Sequence, residues 1–371
     1  MKNFCNCLGG ALVFLCLLGS CSMGEVESDY FSTTEETSQK EKETVSDDET
    51  LNEEENPDDT QDDPEEIPPA AEFLSCKVVS ETEIVLEFTL PVKITSLEFT
   101  HNLVAEEIED GSNVKIKLVE NPEPGLLVTA DFQAEDEHKN SISKQISFRT
   151  KNNRVPHLQI NELRTENASA TSTSGPKAEF IEFKMLSDGN LGALSVYAES
   201  NYKKNPLIYV FEPVEVKKGE YVVLHLRTLD TSCKNEYGKD LDESGGTDSS
   251  PTARDFWIPG STELLRKTDA VYIQDQNGTV LDAVMFLAES IPLWDKTDFE
   301  KTADDLFNQG FWISPAGAVC DPADAVNSSK TTATQTICRD ETAENTHTKA
   351  DWYITKTSGA TPGRENNPGR L

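Results

Sequence analysis

The sequence predicts an all-β protein with two β-sandwich domains in tandem. Three observations support this prediction: short segments alternate apolar and polar residues, turn-forming residues separate them, and an Asn277-Gly278 dipeptide joins two apolar runs. Alternation with a period of two turns one face of a strand toward a core, and short strands at this spacing are typical of a β-sandwich. From Ala71 onward the chain has 301 residues, which suits two domains of about 150 residues each.

The first domain is predicted over residues 72–154. Its strand-like segments are EIVLEF (83–88), VKIKL (114–118), LLVTA (126–130) and ISKQISF (142–148). Between them lie DGSN (110–113) and PEPG (122–125), whose residue types favour turns. The segments EFTLPV (87–92) and DEHKN (136–140) resemble the Ig-like domains of bacterial surface proteins. Lys139 stands where that family's turn has glycine.

The second domain is predicted over residues 155–371. Its strand-like segments are HLQINEL (157–163), EFIEF (179–183), VVLHL (222–226), AVYI (270–273) and TVLDAV (279–284). Asn277-Gly278 lies between the last two segments and predicts a β-hairpin, because both central residues of a type I′ turn need positive φ.

Four motifs in this domain occur in a particular order. They are INE (160–162), EFIE (179–182), a D-x-x-G-x-x-x-D hairpin (275–282), and Trp352 followed by TPG-x-x-N (361–366). This set resembles the lamin-tail domain, which implies an Ig-like β-sandwich and a role in interaction at the cell envelope. The resemblance supplies no ligand. The chain departs from the compact family pattern by two insertions, at 228–254 and 289–350.

The second insertion contains a predicted helix. Thr297 and Glu300 form a capping box, and Gly310 supplies the C′ residue. Four apolar residues share one face of this helix: Phe299, Ala303, Leu306 and Phe307. An amphipathic face of this kind packs on a core, so we expect the helix to cover the sandwich. The alternative is a partner-binding helix.

Residues 1–20 are predicted to be a lipoprotein signal peptide. Lys2 precedes an apolar stretch over residues 8–18, too short for the roughly 20 apolar residues of a membrane span. The stretch ends in Leu18-Gly19-Ser20-Cys21, which resembles the lipobox of bacterial, spirochaete-like lipoproteins. The resemblance implies cleavage before Cys21 and attachment of diacylglycerol and further acyl chains to it. The alternative is an ordinary cleaved signal with a chance cysteine.

Residues 21–71 are predicted to be a lipidated cysteine and a disordered acidic linker. Between Ser22 and Ala70 there are 19 Asp and Glu against two Lys, so the segment has too little apolar surface to fold. A flexible chain of this length spans roughly 35–42 Å. The remaining residues carry 30 basic and 48 acidic side chains. This acidity argues against nucleic acid as a partner, because phosphate backbones require Lys and Arg surfaces.

Four cysteines follow Cys21: Cys76, Cys233, Cys320 and Cys338. Outside the cytosol such a set indicates disulfides, with three possible connectivities. We expect Cys320–Cys338 to close the second insertion, a loop that contributes on the order of 3 kcal/mol. Cys76 and Cys233 pair between domains or remain free.

A calcium site is the most specific chemical hypothesis. Asp240, Asp242 and Ser244 occupy alternate positions before Gly245, as in the first half of an oxygen-rich calcium loop. The twelfth position is Pro251, where an EF-hand has a bidentate glutamate. The alternative is a plain acidic surface loop.

No convincing catalytic centre is visible in the sequence. Glu162, Glu179 and Glu182 are candidate acid–base carboxylates, but Glu179 and Glu182 are three apart on one strand and therefore point to opposite faces. The five histidines lack metal spacing. Aromatic residues at Trp294, Phe311 and Trp312 either stack on a ligand or pack in the core, and core packing is the commoner role.

We therefore expect a non-enzymatic, membrane-anchored binding or scaffold protein. Its partners are the membrane, through the lipid on Cys21, and an unidentified protein or envelope ligand. The anchor implies the cell membrane or outer membrane, with the domains periplasmic or surface-exposed. Two alternatives remain open: an accessory subunit of an envelope nuclease or phosphatase system, and a calcium-dependent adhesin.

Overall fold

The protein has an all-β fold of packed β-sheets, which confirms the predicted fold class. The computed structural model describes residues 69–173, 175–199, 205–260, 263–294 and 297–371. Two large hydrophobic cores are separate from each other, one within residues 71–146 and one within 158–352. Within the described residues, no helix has the length and apolar character that a membrane span requires.

The first sandwich is a single six-stranded sheet folded over itself. Its strands are β1 (Phe73–Val78), β2 (Glu83–Phe99), β3 (Ala105–Glu109), β4 (Gly111–Leu118), β5 (Leu127–Asp136) and β6 (Ser141–Arg149). The 17-residue β2 belongs to both layers. Its first half pairs with β1 and β4, and its second half pairs with β5, which in turn pairs with β6.

The transfer of β2 between layers coincides with Pro91. The β2–β4 register is interrupted between Glu87 and Val92, as expected where proline removes a backbone donor from a ladder. In the first half of β2, the alternate residues Ile84, Leu86 and Phe88 are buried. The alternation in the sequence therefore places the core correctly.

The second sandwich contains two larger sheets and one short ribbon. Its elements are β7 (Leu158–Arg164), β8 (Phe180–Met185), β9 (Gly189–Asn190), β10 (Ser195–Ala198), β11 (Leu207–Val210), β12 (Glu215–Val216), β13 (Tyr221–His225), β14 (Arg254–Trp257), β15 (Asp269–Gln274), β16 (Val280–Leu287), α1 (Thr297–Asn308), β17 (Val326–Asn327), β18 (Ile337–Arg339) and β19 (Trp352–Ile354). One sheet has the order β14-β13-β8-β7-β18-β19, the other β11-β10-β15-β16-β17, and β12 pairs with β9.

The helix α1 packs on this second core, as the sequence predicts. Phe299, Ala303 and Leu306 are buried in the core cluster, and Gly310 adopts a φ of 80° just after the helix. Burial of this face leaves the alternative of a partner-binding face without support. The side chain of Thr297, predicted to cap the helix, lies outside the described side chains.

The predicted hairpin connects β15 and β16, but its turn is not of type I′. Gly278 has a φ of 78°, whereas Asn277 is absent from the described residues with positive φ. The carboxylate of Asp275 accepts hydrogen bonds from the backbone N–H groups of Asn277 (2.8 Å) and Thr279 (2.9 Å). The aspartate therefore stabilises a longer loop in which only the glycine is left-handed.

The two sandwiches are in direct contact. Arg149 forms a salt bridge with Glu212 (2.8 Å) and donates a hydrogen bond to the carbonyl oxygen of Gly125 (2.8 Å). The side-chain amide of Asn152 donates to the carbonyl oxygens of Asn190 (2.9 Å) and Gly192 (2.8 Å). Because Asn152 is buried, these bonds fix the connecting segment to the second sandwich.

Candidate functional site

Glu162 and Glu182 lie directly opposite each other on the paired strands β7 and β8. Both side chains are fully buried. Two neighbouring carboxyl groups in a low-dielectric interior are the arrangement that acid–base catalysis often uses. Their accessibility and hydrogen-bond partners therefore decide between a catalytic and a structural role.

The donors to both carboxyl groups come mainly from the TPG segment, residues 361–363. The backbone N–H of Thr361 donates to Glu162 (3.0 Å to Oε2), and so does its hydroxyl (3.2 Å). The hydroxyl of Thr336 also donates to Glu162. The backbone N–H of Gly363 donates to Glu182 at 2.6 Å. The segment that follows Trp352 therefore folds back over β7 and β8.

A third carboxylate, Glu341, extends this group, and we call Glu162, Glu182 and Glu341 the glutamate cluster. The amide of Asn161 donates to both Glu182 (2.8 Å) and Glu341 (2.7 Å). Lys184 forms a salt bridge with Glu341 at 2.8 Å. The motif residue Asn366 donates its side-chain amide to the carbonyl oxygens of Asn161 and Arg339, each at 3.0 Å.

Burial controls the protonation of this cluster. Desolvation raises the pKa of Glu162. Desolvation and the neighbouring charge of Glu162 raise the pKa of Glu182 well above its usual range. Two adjacent buried carboxylates cannot both ionise cheaply, because each charge loses hydration and repels the other. The pair therefore retains a proton to a higher pH than exposed carboxyl groups do, and that proton lies in the interior.

Glu179 occupies a different environment from Glu182, as their spacing predicts. It is buried and accepts backbone hydrogen bonds from Leu264 (3.0 Å) and Leu265 (3.4 Å). Desolvation raises the pKa of Glu179 to about 7. This carboxyl holds the segment before β15 against β8.

His225 has a buried acidic partner that sequence reasoning missed. Its Nε2 lies 2.8 Å from Oδ1 of Asp255, and its ring stacks on Trp257 with centroids 3.7 Å apart. Ser250 donates its backbone N–H to the other carboxylate oxygen of Asp255 at 2.9 Å. All three side chains at the centre of this group are buried. Because β13 and β14 pair in parallel across a long insertion, spacing in the sequence gives no signal of the contact.

The predicted calcium ligands do not converge. Asp240 and Asp242 are exposed, and Oδ1 of Asp240 accepts the backbone N–H of Asp242 at 3.1 Å. Ser244 is buried instead, where its hydroxyl accepts the indole N–H of Trp257 at 2.8 Å. Among the described residues, no group of three or more His, Cys, Asp or Glu side chains is arranged to hold a metal ion.

The structure does not contain the expected Cys320–Cys338 disulfide, since Cys76, Cys233, Cys320 and Cys338 are all free thiols. Cys338 is on β18 and faces the glutamate cluster, with its sulfur 3.5 Å from the Thr336 hydroxyl. Cys320 is buried in the core beside Trp294, whose indole N–H donates to its carbonyl oxygen at 3.1 Å. Sequence separation alone suggested the pairing, whereas the fold directs the two thiols to different surroundings. Burial raises the pKa of Cys320 to about 12.

The aromatic residues of the second insertion pack against the protein. Trp312 is buried, and Trp294 stacks on Phe299 with ring centroids 6.0 Å apart. Phe311 contacts the ring of His347 edge-on at 5.3 Å. Core packing is therefore their role in this fold. Cys21, the predicted lipidation site, lies outside the described residues.

An open groove of about 560 Å³ lies on the first sandwich. The second half of β2 forms one wall, from Ile94 to Phe99, and the segment from Leu103 to Ile108 forms the other. We call it the β2–β3 groove. The first domain gave no specific site at the sequence level because this groove is formed by strand edges, which leave no residue motif.

Together these features define a protein of two β-sandwiches, the second of which is closed by its own TPG segment. Residues 156–354 match the family model TP_1001_2nd, described as "protein second domain". Because this match covers more than half of the chain, the protein belongs to that family.

The chain is also similar to a protein of Treponema pallidum (strain Nichols) that carries the name "Uncharacterized protein". The two are 26% identical over 212 residues, which is 54% of this chain. The chain spans about half of that curated relative, 51% of its length. Among solved structures, it is similar to a DUF4876 family protein from Bacteroides thetaiotaomicron VPI-5482. That likeness has 13% identity and a TM-score of 0.27, and covers 82% of this chain and 96% of the other.

Proposed function

We propose that the protein is a lipid-anchored cell-envelope protein that acts as a non-enzymatic binding or scaffold module. The lipobox at Cys21 supports the anchor, and the acidic segment that follows it supports a spacer between membrane and sandwiches. The groove on the first sandwich gives such a module a surface on which to bind.

The observation that carries this proposal is the hydrogen bonding of the glutamate cluster. Glu162 and Glu182 are the best acid–base candidates in the sequence, yet both are fully buried and accept hydrogen bonds from Thr361 and Gly363. A general acid or base must reach the proton that it transfers in a substrate. A carboxyl group that residues of the same chain cover in this way stabilises the fold and does not reach a substrate.

The anchor is tested by labelling producing cells with a clickable palmitate analogue. We expect label on the full chain and none on a Cys21→Ala variant, which should appear in the soluble fraction with both domains folded. A Cys76→Ala variant is the matched control and should retain the label. Equal labelling of the Cys21→Ala variant would contradict the anchor.

The non-enzymatic part is tested with the purified full-length protein in detergent. We expect no turnover of phosphomonoester or phosphodiester substrates above that of a Glu162→Gln, Glu182→Gln double variant. Crosslinking on intact cells should recover a defined partner, and protease accessibility should show which side of the membrane the domains face. Turnover that is lost in the double variant would contradict the proposal, and recovery of a hydrolase would favour an accessory role.

A further inference from the structure

The β2–β3 groove exists because one layer of the first sandwich has one strand fewer than the layer that faces it. The layer with β1, the first half of β2, β4 and β3 has four strands, whereas the facing layer has the second half of β2, β5 and β6. Over Lys93–Phe99, the only strand that pairs with β2 in the described residues is β5. The opposite edge of this stretch has no neighbouring strand, and the backbone N–H of Ile94 donates instead to Oδ1 of Asp110 at 3.1 Å. The rest of this edge is a template for strand addition.

The missing strand leaves part of the core uncovered. Ile108 on β3 pairs with the buried Ile116 on β4 and shares its face of the sheet, yet 37% of Ile108 is exposed. Leu97 and Ile94, on the free half of β2, are only half-buried. A strand added beside β2 would lie across Ile108, and every second side chain of that strand would enter this apolar gap.

The charged side chains around the groove indicate which residue types an added strand should carry. Residues 93–110 carry five carboxylates and one lysine. Salt bridges to Lys117 and Lys115 occupy Glu106 (2.7 Å) and Glu109 (3.1 Å). Glu98 and Glu107 are exposed and form no salt bridge with any described residue. The outward-facing side chains of an added strand would therefore be most favourable as Lys or Arg.

The same charges disfavour the two occupants that the chain itself could supply. The segment from Ser22 to Ala70 carries 19 carboxylates against two lysines, so the groove would repel it. A second copy paired edge to edge would place Glu98 and Glu107 near their own equivalents. Like charges opposed across strands are destabilising.

From these observations we infer that the β2–β3 groove binds an extended peptide segment of another protein, with alternating apolar and basic residues, as an added strand beside β2. This inference rests on the proposed binding function and names the chemistry of the partner. Backbone hydrogen bonds supply affinity, Ile94, Leu97 and Ile108 receive the apolar side chains, and Glu98 and Glu107 receive the basic ones.

The test uses full-length protein in detergent and a fluorescent peptide of four Lys-Val repeats, followed by anisotropy at physiological salt. We expect saturable binding of this peptide. At least tenfold weaker binding is expected for a Glu-Val repeat peptide, and for a Lys-Val peptide with N-methyl groups at alternate backbone positions. Equal binding of the N-methylated peptide would show general charge attraction and would overturn the inference.

Two lysine substitutions of exposed aliphatic residues make a matched pair. Ile108→Lys places a charge in the groove, whereas Leu74→Lys places it on β1, at the other edge of the same layer, where Leu74 is 59% exposed. Binding should weaken at least tenfold in Ile108→Lys and stay within twofold in Leu74→Lys. If Ile108→Lys does not fold, the Glu98→Gln, Glu107→Gln variant provides the test and should weaken binding about fivefold. Equal affinities in all variants would overturn the inference.

Sedimentation of the peptide-free protein identifies a competing occupant. We expect a monomer, and a dimer that Ile108→Lys dissolves would show that a second copy fills the groove instead, which overturns the inference. The proposed function is judged separately. If no Lys-Val peptide binds but crosslinking on cells still yields a partner, only the inference fails; hydrolytic turnover would refute the function itself.

Discussion

Glu162 and Glu182 are paired across β7 and β8, and the backbone of one short segment, Thr361–Gly363, donates to both. The pair is thus the point where three distant parts of the chain meet. Its raised pKa values make the stability of the second sandwich sensitive to pH.

Glu182→Gln should reduce the loss of stability that occurs as pH rises above the ordinary pKa of a glutamate. A buried carboxyl whose pKa is raised on folding keeps its proton in the folded state. The free energy of unfolding is therefore highest below the unfolded pKa and falls as pH rises through the folded pKa. Glutamine cannot ionise, so between pH 5 and 9 the free energy of unfolding, measured by urea titration, should fall less steeply in the variant.

Glu182→Ala is the comparison. It should lower the free energy of unfolding by about 2–4 kcal/mol at every pH, because it leaves buried donors unpaired. Identical pH profiles for Glu182→Gln and the wild type would argue against a shared interior proton.

Glu179 should produce a second pH effect, which its own substitution can separate from that of Glu182. Its pKa is about 7 in the fold against an ordinary value of 4.5, so stability should decline between these two values and level off above. The decline corresponds to about 3 kcal/mol, since one pKa unit is about 1.4 kcal/mol. Glu179→Gln should remove it in denaturant titrations at pH 4, 6 and 8. Glu300→Gln, at an exposed helix position, is the control and should leave the profile unchanged.

Gly125→Ala should loosen the contact between the two sandwiches. Gly125 has a φ of 73°, and a Cβ there would overlap the backbone of Gly192 and Ala193. Gly219→Ala is the matched control, because it has a φ of 88° but nothing within 4 Å of the added Cβ. Both variants should lose about 1 kcal/mol from backbone strain. Only Gly125→Ala should also separate the thermal unfolding of the two cores in calorimetry. Indistinguishable thermograms would show that the domain contact tolerates the added methyl group.

Cys320 and Cys338 should be recovered as thiols. In denaturant without reductant, both should react fully with iodoacetamide, as read by peptide mass spectrometry. In the native protein their alkylation should be far slower than that of an exposed thiol, because burial raises both pKa values and blocks access. A requirement for reductant before Cys320 and Cys338 react would restore the disulfide that the sequence suggested.

Local patterns were the reliable part of the sequence prediction. Alternation in EIVLEF placed Ile84, Leu86 and Phe88 in the core, and the apolar face of α1 placed Phe299 and Leu306 in the second core. Contacts between residues that are distant in the sequence could not be predicted from these local patterns. Asp255 reaches His225 through a parallel strand pair, and Glu341 joins Glu162 and Glu182 from 179 and 159 positions away. The position of Ser244 was inaccessible for a similar reason, because its hydroxyl accepts the indole N–H of Trp257 in the interior.

The return of Thr361 to Glu162 also sets the order in which the second sandwich can be completed. The two residues are 199 positions apart, and a ribosome adds about 5–20 residues per second. For roughly 10–40 s, β7 and β8 exist as chain without the donors that satisfy their buried carboxyl groups. Burying Glu162 and Glu182 before these donors exist would leave both carboxyl groups without these hydrogen bonds, which disfavours early closure of the second sandwich. If the protein is exported, as the proposed envelope location requires, this delay leaves the second sandwich incomplete until the chain is nearly finished.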